Sequence, residues 1–248
     1  MKLSIVIPAY NEGERIKPTI KRYLDYFPKD IELIVVIEGT DNTLEIVKEF
    51  AKSDRRIKYF YSEKKLGKGG AVIKGFGLAG GDLIGFVDAD GSTTPEAFAE
   101  LVENLDVYDA IIASRKMRGA KLIKKEPFLQ RIGSRGFNIL VRILFQLPFK
   151  DTQCGAKVFK KQVIDAILPE LGLTEFAFDI DLLFHAKSKG FSVKEIPTVW
   201  EHKTGGKFDF DRKFAKQTIQ MFLSVIRLRI LYSPLKNLIK IYEHIKHL

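Results

Sequence analysis

Ile31-Glu32-Leu33-Ile34-Val35-Val36-Ile37 is the stretch on which the fold turns. Every side chain but Glu32 is apolar, and most are β-branched. A strand without polar alternation has both faces covered, as happens when helices lie above and below a parallel sheet. The surrounding sequence supplies those helices. Upstream, Leu3 to Pro8 is a β-branched run, and Glu12 to Tyr26 reads as a helix. Downstream, a helix is expected from about Asp41, where Asp41 or Asn42 can cap and Leu44, Ile46, Val47 and Phe50 are apolar. Ile57 to Tyr61, Gly69 to Leu78, Leu83 to Val87, Pro95 to Leu105 and Ala110 to Ala113 continue as strand, helix, strand, helix, strand. This order implies right-handed crossovers and an α/β class with a mainly parallel central sheet flanked by helices.

The second half is less regular. Helices are expected over Gln130 to Gln146, Lys161 to Leu168 and Ile180 to Lys189, the last ended by Gly190. Lys157 to Phe159 and Phe191 to Trp200 read as extended, and a helical tail starts near Arg212 and breaks at Ser233-Pro234. No repeat or Gly/Ser-rich linker divides the chain. The reading is one domain over 1–211 with an amphipathic helical tail over 212–248.

Composition narrows the function classes. The 248 residues are 46% hydrophobic and 29% charged, a globular balance with ample core. Lys and Arg number 41 against 31 Asp and Glu, a net charge of +10. Such a surface suits nucleic acid, anionic lipid or a phosphate-bearing substrate. Cys154 is the single cysteine, which excludes an intrachain disulfide and fits a reducing compartment. No run of roughly 18 apolar residues occurs, so no spanning helix is expected, and the start lacks the features of a signal peptide.

In an open parallel sheet, ligands bind beyond the carboxyl ends of the strands, and unusual residues stand there. Pro8-Ala9-Tyr10-Asn11-Glu12-Gly13 follows the first strand and Glu38-Gly39-Thr40-Asp41 the second. After the fourth, an apolar run gives way to Asp88-Ala89-Asp90-Gly91. Two carboxylates at this spacing suit a hard divalent cation that takes its other oxygens from water and a diphosphate; an acidic turn is the bland alternative. Leu66-Gly67-Lys68-Gly69-Gly70 precedes a helix, where backbone N–H groups can meet a phosphate or simply form a turn. Neither a Walker A spacing nor a Gly-x-Gly-x-x-Gly after the first strand is present.

Together these pieces resemble the inverting family 2 glycosyltransferases of the GT-A, Rossmann-like fold. Pro8-Ala9-Tyr10-Asn11-Glu12 matches the opening nucleotide-binding loop and Asp88-Ala89-Asp90 the metal-binding Asp-x-Asp. Gly67 to Ala71, Ser114-Arg115, Gln130-Arg131, Asp151 to Phe159, Phe178 to Leu183 and Ile226 to Arg229 extend the likeness to the lipid-phosphate branch. Within it, the dolichyl-phosphate β-glucosyltransferases are nearest and the dolichol-phosphate mannose synthases next. The two aspartates usual after the second strand fall here on Ile37 and Glu38.

The resemblance implies transfer of a hexose from a nucleotide-diphosphate sugar to dolichyl or polyprenyl phosphate, with inversion. UDP-glucose is the favoured donor and GDP-mannose the alternative; a saccharide hydroxyl acceptor and a basic nucleic-acid-binding protein are remoter readings, and no nucleic-acid partner is expected. It further implies that Pro8, Ala9, Tyr10, Glu12 and Glu38 hold base and ribose, with Lys68 and Gly69 beside the donor. Asp88, Ala89 and Asp90 form the donor loop, with Asp88 and Asp90 holding Mg²⁺ or Mn²⁺. Arg115, Arg131 and Lys207 face the phosphates with Arg135 in reserve, Gln153 contacts the sugar, and Asp179 positions an arginine or the sugar rather than taking a proton. Asp179 and Asp181 both lie near the position of an acceptor-activating carboxylate, where a helix N-cap is an equal explanation. Cys154 reads as buried packing.

The glucosyltransferases' N-terminal anchor has no counterpart ahead of Leu3, so lipid contact is expected from other segments. Leu235, Leu238, Ile239, Tyr242 and Ile245, the run Met221 to Leu228, and Phe137 to Phe149 are apolar with interspersed Lys and Arg. Such helices can lie on an anionic membrane surface, here the cytoplasmic face; packing on the domain or a homodimer seam would use them equally.

Overall fold

The strand Ile31–Glu38 is buried at every position, as its composition requires. The computed structural model describes residues 1–27, 29, 31–123, 128–172, 177–201 and 212–233. In chain order the elements are β1 (Leu3–Tyr10), α1 (Ile16–Tyr26), β2 (Ile31–Glu38), α2 (Thr43–Ser53), β3 (Ile57–Ser62), α3 (Gly67–Leu78), β4 (Leu83–Val87), α4 (Pro95–Glu103), β5 (Ala110–Ser114), β6 (Lys121–Leu122), α5 (Phe128–Phe145), β7 (Ala156–Lys160), α6 (Lys161–Ile167), α7 (Phe178–Ser188), β8 (Val193–Pro197), β9 (Val199–Trp200) and α8 (Arg212–Leu231). The main sheet runs β3-β2-β1-β4-β7-β5-β8. All its pairings are parallel except those of β7, which runs antiparallel between β4 and β5. The expected α/β architecture, mainly parallel and flanked by helices, is the one observed.

Alternate side chains of each strand enter opposite layers. Ile5, Ile7, Leu33 and Val35 pack with Ile16 and Ile20 of α1, Val47 of α2 and Phe98 of α4. Val6, Ile34 and Val36 pack on the other side with Val72 and Phe76 of α3 and Leu182 of α7. A third cluster joins Phe137, Val141 and Phe145 of α5 to Ile180 and Leu183 of α7 and Val225 and Leu228 of α8. One face of α8 is therefore covered by the domain, while Ile226 and Leu223 are exposed.

Two local readings change. The extended stretch expected over Phe191 to Trp200 is two strands: β8 pairs with β5, whereas β9 pairs with β6 in a separate two-stranded sheet. Pro197 ends β8 because it has no N–H to continue the ladder. The first helix begins at Ile16 rather than Glu12, since Asn11 is left-handed at φ 53° and a turn precedes the helix.

At the amino-terminal end of the sheet, the one polar residue of the deciding stretch is fully engaged. Glu32 accepts hydrogen bonds from Ser4 Oγ at 2.6 Å and Gly80 N at 2.6 Å, and pairs with Lys58 at 2.7 Å and Lys2 at 3.1 Å. Burial alone would raise its pKa; the surrounding donors outweigh burial and hold it at about 2. A carboxylate depressed in the folded state contributes stability above its unfolded pKa, and the contribution is lost as pH falls toward the folded value. Glu32→Gln should therefore cost about 1–2 kcal/mol at neutral pH. In denaturant titrations the gap between variant and wild type should close as pH falls from about 4.5 toward about 2; a gap that persists at low pH would contradict this assignment.

Candidate active site

The loops after β1 and β2 are knitted into one rim. Asn11 Oδ1 accepts from the Thr40 amide at 2.9 Å and the Asp41 amide at 3.3 Å. Gly39 has φ +104°, and a Cβ there would lie 2.1 Å from Asn11 Oδ1, so only glycine fits this turn. The Glu12 amide donates to Thr43 Oγ1 at 2.9 Å and the Gly13 amide to Asp41 Oδ2 at 2.9 Å. Pro8 and Ala9 lie near the end of β1 with Ala9 buried, while Tyr10, the strand's last residue, has an exposed ring. Glu38, paired in register with Tyr10, is buried; its Oε2 accepts from the amides of Leu66 at 2.7 Å and Gly67 at 3.1 Å. One oxygen of Glu38 thus anchors the start of α3, which begins at Gly67, two residues before Gly69.

Asp88 and Asp90 leave the end of β4 beside that helix. Lys68 Nζ meets Asp88 Oδ1 at 2.7 Å. Burial would lower the Lys68 pKa, but the carboxylates of Asp88 and Asp179 prevail and raise it. Ala89 is buried, and its carbonyl accepts from Thr19 Oγ1 at 2.9 Å, which ties the loop to α1. Asp90 Oδ1 accepts from the Ser92 amide at 2.9 Å. Glu12 faces the same loop. Burial raises its pKa, Arg15, paired at 2.7 Å, opposes, and the charges of Asp90 and Asp88 add to the rise. Among the described residues no cluster of three His, Cys, Asp or Glu side chains has metal-holding geometry. The donor set at this edge is two hard carboxylates with a third close by. That fits a divalent cation drawing its remaining ligands from water and substrate oxygens.

Across from β4, the loop after α5 forms the second wall. Asp151 is fully buried and takes Arg115 in a fork, with Nε at 2.8 Å from Oδ2 and a terminal nitrogen at 2.9 Å from Oδ1. Burial opposes the ionised form of Asp151, but Arg115 overrides it and holds the carboxyl at about 2. The Arg115 guanidinium also lies 5.2 Å over the Trp200 ring. Cys154 is buried and its thiol is pushed up to about 12 by burial, so it packs and does not react. Gln153 Nε2 is buried and, among the described residues, lacks a hydrogen-bond partner. Gly155 lies against Asp88: a Cβ there would fall 1.8 Å from Asp88 Oδ2.

The structure separates the two aspartates of α7. Asp179 is buried and accepts from Lys157 Nζ at 2.5 Å. Asp181 turns away, toward α8, where the Tyr232 hydroxyl donates to it and His185 Nε2 lies 3.3 Å off. It secures helix docking. Arg131 lies on α5, but its side chain, that of Arg135, and the whole of Lys207 fall outside the described residues. Asp88, Asp90, Glu12, Lys68, Gly69 and Asp179 come together at the β4 edge, with Gln153 on the facing loop and Arg115, at the end of β5, clamped to that loop by Asp151. The residues that pattern reading passed over are Lys157, Asp151 and Trp200. A lysine flanked by Ala156, Val158 and Phe159 in a central strand was the visible signal for the first.

The model described as Glycosyl transferase family 2 matches residues 4–168. Glycosyltransferase AglD of Haloferax volcanii is 34% identical over 220 residues, which are 86% of this chain; the chain spans 35% of that relative's length. The dolichyl-phosphate beta-glucosyltransferase of Dictyostelium discoideum is 30% identical over 247 residues, 93% of this chain and 74% of the relative. Among solved structures, glucosyl-3-phosphoglycerate synthase from Mycobacterium tuberculosis, in complex with Mn²⁺, UDP and phosphoglyceric acid, aligns with a TM-score of 0.68. It does so at 16% identity over 92% of this chain and 78% of that one, so it shares the fold. With its strand-end motifs assembled at one edge of that fold, the chain belongs to glycosyl transferase family 2.

Proposed function

We propose that this protein transfers a hexose, glucose from UDP-glucose, to a dolichyl or other polyprenyl phosphate with inversion at the anomeric carbon. The observation that carries the reading is the pair Asp88 and Asp90 at the β4 edge, with Lys68 ion-paired to Asp88 and Arg115 braced on the facing loop. The Dictyostelium relative, named as a dolichyl-phosphate glucosyltransferase, supports the acceptor class. Asp88 and Asp90 would hold Mg²⁺ or Mn²⁺. Bound there, the cation supplies Lewis-acid stabilisation of the departing diphosphate. Tyr10 offers an exposed ring to the base, Glu12 and the knitted rim shape the ribose side, and the start of α3 presents Lys68 to the diphosphate. Gln153 Nε2, buried without a partner among the described residues, would donate to a sugar hydroxyl.

A phosphate monoester has a second pKa of about 6, so the acceptor is already a nucleophilic anion at neutral pH. The site then needs cations to bring two anions together, not a base. Asp151 takes the Nε edge of the Arg115 fork and so fixes the guanidinium plane, whose positive charge would lie toward the phosphates. Arg131 and Lys207 are proposed to share that task.

We also place the protein on the cytoplasmic face of a membrane. Among the described residues no helix is long and apolar enough to cross one. The outer faces of α5 and α8, which pack through Phe137 and Phe222 with ring centroids 5.7 Å apart, carry exposed Ile139, Ile143, Leu223 and Ile226 beside Arg142. Apolar residues with basic neighbours on paired helices suit an anionic lipid interface.

Two measurements test these statements. A nucleotide panel with Mn²⁺ or Mg²⁺ should raise the Tm with UDP, and more than with GDP; a GDP preference would reassign the donor. No shift with any nucleotide and metal would overturn the glycosyltransferase reading. Ile143→Glu combined with Leu223→Glu should abolish flotation with vesicles containing anionic phospholipid and leave that nucleotide-induced shift intact. Unchanged flotation would remove this surface from the membrane.

A further inference from the structure

A fully buried lysine on a central strand requires an explanation that stability does not supply. Replacing a buried ion pair with apolar residues is often neutral or stabilising, so such a pair is weak evidence of a stabilising role. Lys157 is fully buried on β7, opposite Phe86 of β4 and Ile112 of β5. Its Nζ donates to Asp179 Oδ1 at 2.5 Å and to the Cys154 carbonyl at 2.8 Å, and lies 5.2 Å from the centre of the Phe86 ring. Lys68 Nζ lies 5.8 Å from the centre of the same ring and pairs with Asp88. The Asp88 amide donates to the Gly155 carbonyl at 3.2 Å, and Gly155 follows Cys154 directly.

The contacts form one chain: Asp179 to Lys157, Lys157 to the Cys154 carbonyl, the adjoining Gly155 carbonyl to the Asp88 amide, and Asp88 to Lys68. The Phe86 ring lies between the two ammonium groups. The cluster holds two lysines and two aspartates, so each ammonium has its own carboxylate. We propose that Lys157 and Asp179 are positioning residues that set the orientation of Asp88 toward the cation and diphosphate of the donor. The inference rests on the proposed donor chemistry and assigns Asp179 to the donor side of the site. Gly155 is the other half of the device, since its missing Cβ is what lets the loop lie against the Asp88 carboxylate.

The neutral pair Lys157→Met with Asp179→Asn tests this without stranding a single buried charge. Isothermal titration should show Mn²⁺–UDP binding weakened by about tenfold or more, the scale seen when a group supporting a metal ligand is removed. Steady-state kinetics should show the donor KM rising with it and the polyprenyl-phosphate KM unchanged. Asp179→Asn alone, which keeps an oxygen acceptor for the Lys157 ammonium, should give the same donor-side loss; it decides the matter if the double variant does not fold. Wild-type affinity for Mn²⁺–UDP in either folded variant would overturn the proposal. So would a loss confined to kcat in the double variant, which would instead make Asp179 an acceptor-side group. Failure of the wild type itself to bind any nucleoside diphosphate with Mn²⁺ would sink the glycosyltransferase reading.

Discussion

A sheet covered on both faces has no place for polar chemistry except its two ends, and that constraint organises this molecule. β1, β2 and β4 are apolar to both layers, so charge gathers where the strands stop. At the amino-terminal end Glu32 is closed off by Ser4, Gly80, Lys2 and Lys58, each supplying a donor or a positive charge. At the carboxyl end the carboxylates of Glu12, Asp88 and Asp90 gather, and among the described residues their cationic partners are Arg15 and Lys68. Asp90 pairs with no cation there and takes only the Ser92 amide among the described residues. The candidate site sits at this less neutralised end.

β7 is the exception that completes the site. Running antiparallel between β4 and β5, it is entered from the loop 151–155, so that loop emerges at the same end as the β4 carboxylates. A parallel strand in that position would be entered from the far end, and Asp151 and Gly155 would lie there. Reversal of one strand therefore brings an arginine clamp and a backbone shelf to the edge that carries Asp88 and Asp90. β7 also holds Lys157 in the interior, where the Asp179 carboxylate of α7 pairs with it.

Much of this was legible in the chain because it is local. The unbroken apolar run of β2, the switch from Val87 to Asp88 and the glycines opening α3 each announce themselves within a few residues. What escaped is what depends on partners far away in sequence. Asp179 and Asp181 are two residues apart and equal candidates by pattern, yet one faces Lys157 of β7 and the other Tyr232, just past the end of α8. Glu38 reads as a group for a ligand, and only the fold brings the Leu66 and Gly67 amides onto it. The division of Phe191 to Trp200 into two strands follows from which neighbour each half meets, although Pro197 marks the place.

The distribution of charge also bears on the class of acceptor. A transferase that deprotonates a hydroxyl needs a carboxylate whose pKa lies near working pH, which requires burial without a cation. Asp179 is buried, but with an ammonium against it, and Asp151 is buried with a guanidinium in a fork. The Arg115 fork favours the ionised form of Asp151 and leaves it little tendency to accept a proton, while Asp179 already takes the Lys157 ammonium as its donor. Glu12, whose pKa is raised, sits on the rim joined from the loops after β1 and β2 and is paired with Arg15. An acceptor that arrives already ionised asks nothing of these groups except that they hold cations in place. The carboxylates described here are arranged to do that, which supports the proposed phosphate acceptor over an alcohol.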